Sequence, residues 1–322
     1  MNYGNLIGDA VRIAWRNRFL WFFGLFISGG LASLNLSVPP NPDTSTQNAA
    51  TGGVPVWIFN LGQWARENIV LALTLGVVVL VLILVVFYVL WMISSAGLSD
   101  SVAAIERGER RGFGSTWRAG VRNLWRMFLL LVLFVLIGLV LGTLIVGPAA
   151  LGIFGIVAAT ESVGLRVLFI SLIGLVAFVL YLVVVIAQYL VSQLAIRELV
   201  IGGQGVIASV TEGYLLFRHN LGRVLVVWLV QFGIAVAVGV AIGIVAFVVN
   251  ITQSFGFLAL SYAAPYPLVA GLAVGVGLLL SLPLILVYAI VGVFNHAFWT
   301  LAYLQLTGGP APQRGYAPGP TG

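Results

Sequence analysis

"VRNLWRMFLLLVLFVLIGLVLGTLIVG", residues 121–147, places a basic, asparagine-centred phrase directly before a long apolar run. The phrase returns as "RHNLGR" at residues 218–223 and, more loosely, as "WRNRFL" at residues 15–20. Each copy is again followed by apolar residues. Because a helix of roughly 20 apolar residues crosses a bilayer, each copy predicts a point at which the chain enters a membrane.

The composition of the whole chain is that of a membrane protein. Hydrophobic residues make up 61% and charged residues 7%, whereas soluble domains carry about 25% charged residues. The apolar runs lack the alternation of barrel strands, which leaves helices as the way to satisfy the backbone in lipid. We therefore predict an all-α, polytopic transmembrane helical bundle with six spans, at about 19–38, 69–97, 127–149, 167–195, 224–249 and 268–295.

The arginines predict the orientation of these spans. The chain has 15 basic residues, and only Arg66 and Arg166 fall in the loops opposite to the others. Cytoplasmic loops are enriched in Lys and Arg, so we expect a multi-pass plasma-membrane protein with both termini in the cytoplasm. A single transmembrane domain is predicted over residues 1–309, followed by a disordered cytoplasmic tail at residues 310–322.

The spans also suggest three helical hairpins, at about residues 1–110, 111–205 and 206–309. Each begins with a basic amphipathic segment, expected to form an interfacial helix. An asparagine stands between this segment and the first span of the hairpin. The second span is longer and ends at a glycine that is predicted to cap the helix. The marker residues are Asn17, Asn123 and Asn220, and Gly108, Gly202 and Gly308.

All three hairpins start on the same side, so an internal repeat predicts parallel copies around an axis along the membrane normal. The alternative is that any helical hairpin that starts in the cytoplasm produces this pattern. The phrase Asn-Leu-x-Arg, shared by the second and third hairpins, favours the repeat.

A few polar side chains fall within or beside the spans and are the candidate functional groups there. They form a predicted polar girdle near the cytoplasmic ends, made of Gln188, Gln193, Asn295 and His296. The girdle either lines a small cavity or provides hydrogen bonds between helices, worth about 0.6 kcal/mol each. We favour the second interpretation.

The sequence offers little that points to catalysis or cofactors. Cysteine is absent and there are only two histidines, neither at ligand spacing from another histidine or a carboxylate, so we expect no metal and no cofactor. Axial binding of a pigment by His296 is a remote alternative. The net charge of +6 belongs to arginines that flank spans, which indicates membrane orientation and lipid contact, not nucleic-acid binding.

The opening "YGNLIGDAVRIAWRNRFLWFFGLF", residues 3–26, and the repeated phrase resemble a class of uncharacterised bacterial six-span membrane proteins. They are similar to the membrane domain attached to some glycerophosphoryl diester phosphodiesterases. The resemblance implies a bacterial inner-membrane location. The catalytic domain of that family is absent from this chain, so the resemblance implies no enzymatic activity and no site residue.

We therefore expect a non-enzymatic membrane protein that interacts with lipid or serves as a scaffold or accessory subunit for other membrane proteins. Its expected headgroup ligands are Arg122, Arg126, Arg218 and Arg223, because each flanks a span on a basic amphipathic segment. The alternative function is a transporter or channel-like component whose cavity is lined by the polar girdle.

Overall fold

A computed structural model describes residues 2–29, 64–261 and 266–308, and within these ranges the chain forms helices and no strand. The prediction of an all-α bundle is confirmed. The helices are α1 (Tyr3–Arg16), α2 (Leu20–Ile27), α3 (Ile69–Glu106), α4 (Phe113–Ala159), α5 (Val163–Val200), α6 (Val206–His219), α7 (Leu221–Ser261) and α8 (Tyr266–Leu306). The predicted tail at residues 310–322 lies outside the described residues.

Five of these helices, α3, α4, α5, α7 and α8, are long and apolar enough to cross a membrane. They coincide with the last five predicted spans. In α3, α5 and α7, none of the most apolar 18-residue stretch is buried inside the protein. Such extensive apolar surface requires an apolar surrounding, which for a multi-pass protein is the lipid of the bilayer.

The first predicted span, residues 19–38, is not one continuous helix. The Ser28 N–H bonds to the Gly24 carbonyl at the end of α2, and Gly29 then adopts a left-handed φ of +67°. A left-handed residue directly after the last turn terminates a helix. The prediction of a continuous helix was therefore wrong, because hydropathy does not register this stop. Residues 30–38 lie outside the described residues.

The packed core lies at one end of the bundle. We call this the basic end; it carries the turns at residues 107–112, 201–205 and 307–308. The core unites side chains of α1, α2, α3, α5, α7 and α8, including Leu6, Phe23, Leu98, Leu194, Val227 and Phe298. Beyond it, the long helices expose most of their side chains. The helices therefore pack against one another at the basic end and are exposed to lipid along the rest of their length.

Glycines allow the helices to approach closely at this end. A Cβ on Gly97 of α3 would lie 2.7 Å from the Thr116 carbonyl oxygen of α4, and one on Gly120 would overlap the Ile93 carbonyl oxygen. The same pair of helices is joined by a 2.6 Å hydrogen bond between the hydroxyls of Ser101 and Thr116. Small residues thus bring the two backbones together, as is common between membrane helices.

Glycines also allow close contact at two further helix crossings. Gly24 of α2 and Gly292 of α8 lie against each other's helix backbone, and Gly213 of α6 lies against the backbone of Ala195 in α5. Around the bundle, α4 packs on α3, α6 packs on α5, and α1 packs on α8. Each basic amphipathic segment therefore contacts a long helix of a neighbouring predicted hairpin. The internal repeat itself stays a prediction.

The three marker asparagines share one hydrogen bond. The side-chain amides of Asn17, Asn123 and Asn220 donate to the carbonyl oxygen four residues earlier, at 3.0, 3.0 and 3.3 Å. Asn17 and Asn220 end α1 and α6, whereas α4 continues through Asn123 as a helix of 47 residues. Each side chain therefore bonds to the amphipathic segment before it and not to the span after it.

Two of the three predicted capping glycines are confirmed. Gly108 and Gly308 have φ values of +83° and +70°, but in α5 the left-handed residue is Gly203, at +68°, and not Gly202. The reason is that the backbone hydrogen bond that closes the turn after α5 spans one residue more than the one after α3. The Gln204 N–H bonds to the Glu198 carbonyl, six residues back, whereas the equivalent bond after α3 joins Glu109 to Ala104, five residues back.

The glycine crossings predict a difference between two substitutions in the same helix. Gly120→Ala forces a methyl group into the Ile93 backbone and should cost about 1–3 kcal/mol of folding free energy through overpacking. Gly155→Ala is the control, because nothing lies within 4 Å of its Cβ position, and it should leave stability unchanged or slightly higher. Thermal unfolding in detergent measures both. Equal unfolding temperatures would contradict close backbone contact at Gly120.

Candidate functional site

The surface of the basic end combines exposed aromatic and arginine side chains. Trp15 of α1, Trp125 of α4 and Tyr214 of α6 are 62%, 67% and 50% exposed. The opposite faces of the same segments are buried in the core, for example Ala10 and Gly213. The segments are therefore amphipathic, with one face packed against protein and the other free to meet a membrane interface, where Trp and Tyr are enriched.

Three of the four predicted headgroup arginines are available on this surface. Arg122, Arg218 and Arg223 are exposed, and no hydrogen bond or ion pair joins them to any residue within the described ranges. By contrast, Arg12 pairs with Asp9 at 3.2 Å, and Arg111 pairs with Asp100 at 3.5 Å. The three free guanidinium groups therefore remain available to an outside ligand.

Arg126, the fourth predicted arginine, makes hydrogen bonds with other residues of the protein. Its Nη1 donates to Asn123 Oδ1 at 3.3 Å, and its Nη2 donates to the carbonyl oxygens of Gly203, at 3.0 Å, and Gln204. These carbonyls follow the end of α5, where backbone groups lack helical partners. Arg126 thus ties α4 to the end of α5, and we remove it from the set of headgroup ligands.

The predicted polar girdle separates into two groups. The Gln188 amide donates to the Phe134 carbonyl of α4 at 2.5 Å, which is the interhelical hydrogen bond expected of a packing residue. Gln193 Oε1 accepts from Arg197 Nη1 at 2.7 Å. His296 is buried on α8 within electrostatic range of Arg197, and Asn295 beside it is half-buried. Gln188 therefore serves the α4–α5 contact, whereas Gln193 and His296 belong with Arg197.

Arg197 is the functional candidate that sequence reasoning missed. It lies inside α5, about one turn before the end of the helix, with a relative exposure of 0%. Its Nη1 donates to both the carbonyl and the side-chain oxygen of Gln193, each at 2.7 Å. Tyr189, Gln193 and Arg197 recur every four residues on one face of α5, and this spacing was the signal available in the sequence.

The face of α5 that carries Arg197 packs against polar and aromatic groups of α7 and α8. Tyr189, two turns before Arg197 on the same face of α5, packs edge-on against Trp299 of α8, with ring centroids 6.4 Å apart. The Trp299 indole N–H donates to Gln231 Oε1 of α7. Arg197 therefore lies in a buried polar centre built by α5, α7 and α8.

An open groove of about 330 Å³ runs along α4 and α5 near this centre. Its lining residues are Phe134, Val185, Gln188, Tyr189 and Ser192. A second groove of about 210 Å³ lies between α7 and α8, lined in part by Gln253 and Tyr288. Within the described ranges, His, Asp and Glu side chains form no group of three able to hold a metal ion.

The contrasting arginines predict different effects on stability. Arg126→Gln removes the donors to Gly203 and Gln204 and should destabilise the protein by about 1 kcal/mol, the net value of a typical hydrogen bond. Arg122→Gln removes an exposed arginine four residues away on the same helix and should leave stability unchanged. Chemical denaturation in mixed micelles measures the difference. A loss of the same size in both variants would show that Arg126 does not tie α4 to α5.

Comparison with known proteins gives one match. Residues 17–309 match the family described as a family of unknown function (DUF7544). No curated protein and no solved structure matches the chain. The match begins at Asn17 and ends beside Gly308, so it includes α2–α8 and leaves out α1. It does not bear on the resemblance to the phosphodiesterase membrane domain. Because the match covers most of the sequence, this chain belongs to the DUF7544 family of unknown function.

Proposed function

We propose that this chain is a non-enzymatic integral membrane protein that holds anionic lipid headgroups at its basic end. The observation that carries the proposal is the pairing of exposed aromatic residues with exposed arginines on three separate segments. Trp15, Trp125 and Tyr214 lie on the same segments as Arg16, Arg122 and Arg218. This combination suits the boundary between acyl chains and phosphates.

The chemistry of arginine supports a phosphate ligand. A guanidinium group is planar, permanently charged and able to bind a phosphate through two parallel hydrogen bonds. A basic residue near an anionic membrane surface contributes about 1 kcal/mol to its attraction. Several such residues around one bundle would gather anionic lipid at its rim without any need for a catalytic group.

The orientation and the repeat form part of this proposal. The basic end faces the cytoplasm of a bacterial inner membrane, because nearly all arginines lie at that end. The contacts of α1 with α8, of α4 with α3 and of α6 with α5 are the arrangement that three parallel hairpins around one axis would produce. We extend the proposal to scaffolding of other membrane subunits and to a relationship with the phosphodiesterase membrane domain.

The alternative of a transporter or channel-like component whose cavity is lined by the polar girdle stays a prediction. Gln188 donates to a backbone carbonyl of α4, and Gln193 is bonded to Arg197. These bonds support the interpretation of the girdle as hydrogen bonds within the protein, although Gln188 also lines the open groove along α4 and α5.

The proposal predicts the outcome of removing the free arginines together. The variant with Arg122→Gln, Arg218→Gln and Arg223→Gln should lose about 1 kcal/mol of lipid attraction per arginine. The phosphatidylglycerol content of the purified protein, relative to phosphatidylethanolamine, should fall several-fold and depend less on salt. Lipid extraction followed by mass spectrometry measures this ratio.

Arg66→Gln provides the control, because Arg66 is exposed and lies before the start of α3, away from the basic end. It should leave the lipid ratio unchanged. If the triple variant and Arg66→Gln give the same ratio as the unmodified protein, the basic end does not select anionic lipid.

A further inference from the structure

We propose that Arg197, together with Gln193 and His296, forms a binding site for one phosphate-type anion in the buried polar centre between α5 and α8. The ligand chemistry is that of a phosphate monoanion or dianion, carried by a lipid headgroup or present as free inorganic phosphate. This site is separate from the exposed arginines of the rim, so either proposal can fail without the other.

The first argument is the charge of Arg197. Its side chain is fully buried, and an arginine keeps its charge at neutral pH. Burial of a charge without a counter-charge is strongly unfavourable even after the protein relaxes. Within the described ranges no carboxylate forms an ion pair with Arg197. An anionic ligand would offset this cost.

The second argument is the number of donors left without acceptors. Nε and Nη2 of Arg197 are buried and make no hydrogen bond with any described residue, and neither does Nδ1 of His296. Buried polar groups in proteins are nearly always hydrogen-bonded. A phosphate has enough oxygen atoms to accept from the free side of the guanidinium group and also from the imidazole, in the tautomer that carries its proton on Nδ1.

The third argument is access. Gln193 bonds to Nη1 of Arg197 through a neutral amide oxygen, and its side chain is only half-buried. Tyr189 on the same face of α5 is 37% exposed and also lines the open groove along α4 and α5. Rotation of the Gln193 side chain would remove one of the two acceptors of Nη1, leaving the Gln193 carbonyl oxygen as the other, and would free one N–H of the guanidinium group for a ligand.

The chemistry and the depth of the site favour phosphate. The guanidinium fork matches phosphate through two bonds, and Arg197 lies at the end of the bundle where the exposed Trp and Arg side chains indicate the headgroup layer. Because the site is buried, its ligand should be stoichiometric and resistant to salt, whereas binding to exposed arginines is screened by salt.

The test uses Gln193→Glu in the full chain. This nearly isosteric change supplies a built-in carboxylate at 2.7 Å from Nη1 in the present geometry, which should neutralise Arg197 and displace the ligand. Gln204→Glu is the charge-matched control, since Gln204 is exposed at the same end. Arg197→Met removes the charge itself. Native mass spectrometry with phosphatidylglycerol, and thermal unfolding with inorganic phosphate, report binding from the two sources.

The unmodified protein should retain one phosphatidylglycerol per chain in high salt, or show a phosphate-dependent rise in unfolding temperature. Both Gln193→Glu and Arg197→Met should weaken that binding about tenfold or more, the expected effect of losing a charge-assisted hydrogen bond. Gln204→Glu should retain this binding, and so should the variant with Arg122→Gln, Arg218→Gln and Arg223→Gln. Failure of the unmodified protein to bind either probe, or equal binding by Gln193→Glu, would overturn the proposal. A folding defect in Arg197→Met leaves Gln193→Glu to decide the question.

Discussion

Close contact between helix backbones at the basic end is the constraint on which the rest of the structure depends. Lipid is as apolar as the helix surfaces, so membrane helices gain little from burying apolar side chains against one another. They associate where small residues permit close van der Waals contact. Gly24 with Gly292, Gly97 with Thr116, and Gly213 with Ala195 provide such contacts. These crossings join α2 with α8, α3 with α4, and α5 with α6, and they confine the packed core to one end of the molecule.

This packing explains why polar groups collect at the same end. Away from it, the helices meet lipid and carry few polar side chains, such as Thr143 and Gln253. At the basic end the helices are close enough for Ser101 to reach Thr116, for Trp299 to reach Gln231, and for Arg126 to reach the backbone after α5. The amphipathic segments cover this polar core from outside and leave their aromatic and arginine side chains at the surface. The fold therefore places the candidate lipid ligands around a core that also contains a buried arginine.

Hydropathy was sufficient to predict the helical class and the last five spans, because a run of apolar residues must form a helix in lipid. The sequence also marked Asn17, Asn123 and Asn220, which share one hydrogen-bond geometry. The errors arose where contacts between helices decide the outcome. The stop at Gly29 depends on local backbone conformation, the shift from Gly202 to Gly203 depends on a wider turn, and the roles of Arg126 and Arg197 depend on partners or surroundings in other helices. None of these is visible in hydropathy.

The account rests on the claim that the basic end, with its packed core, faces the cytoplasm. The chain contains no cysteine, so single cysteines can be introduced without other changes. Gln204→Cys lies in the turn after α5 at the basic end, and Glu161→Cys lies in the turn between α4 and α5 at the opposite end. Treatment of intact cells with a membrane-impermeant maleimide should label Glu161→Cys and leave Gln204→Cys unlabelled until the cells are permeabilised. Labelling of Gln204→Cys in intact cells, with protection of Glu161→Cys, would contradict the account.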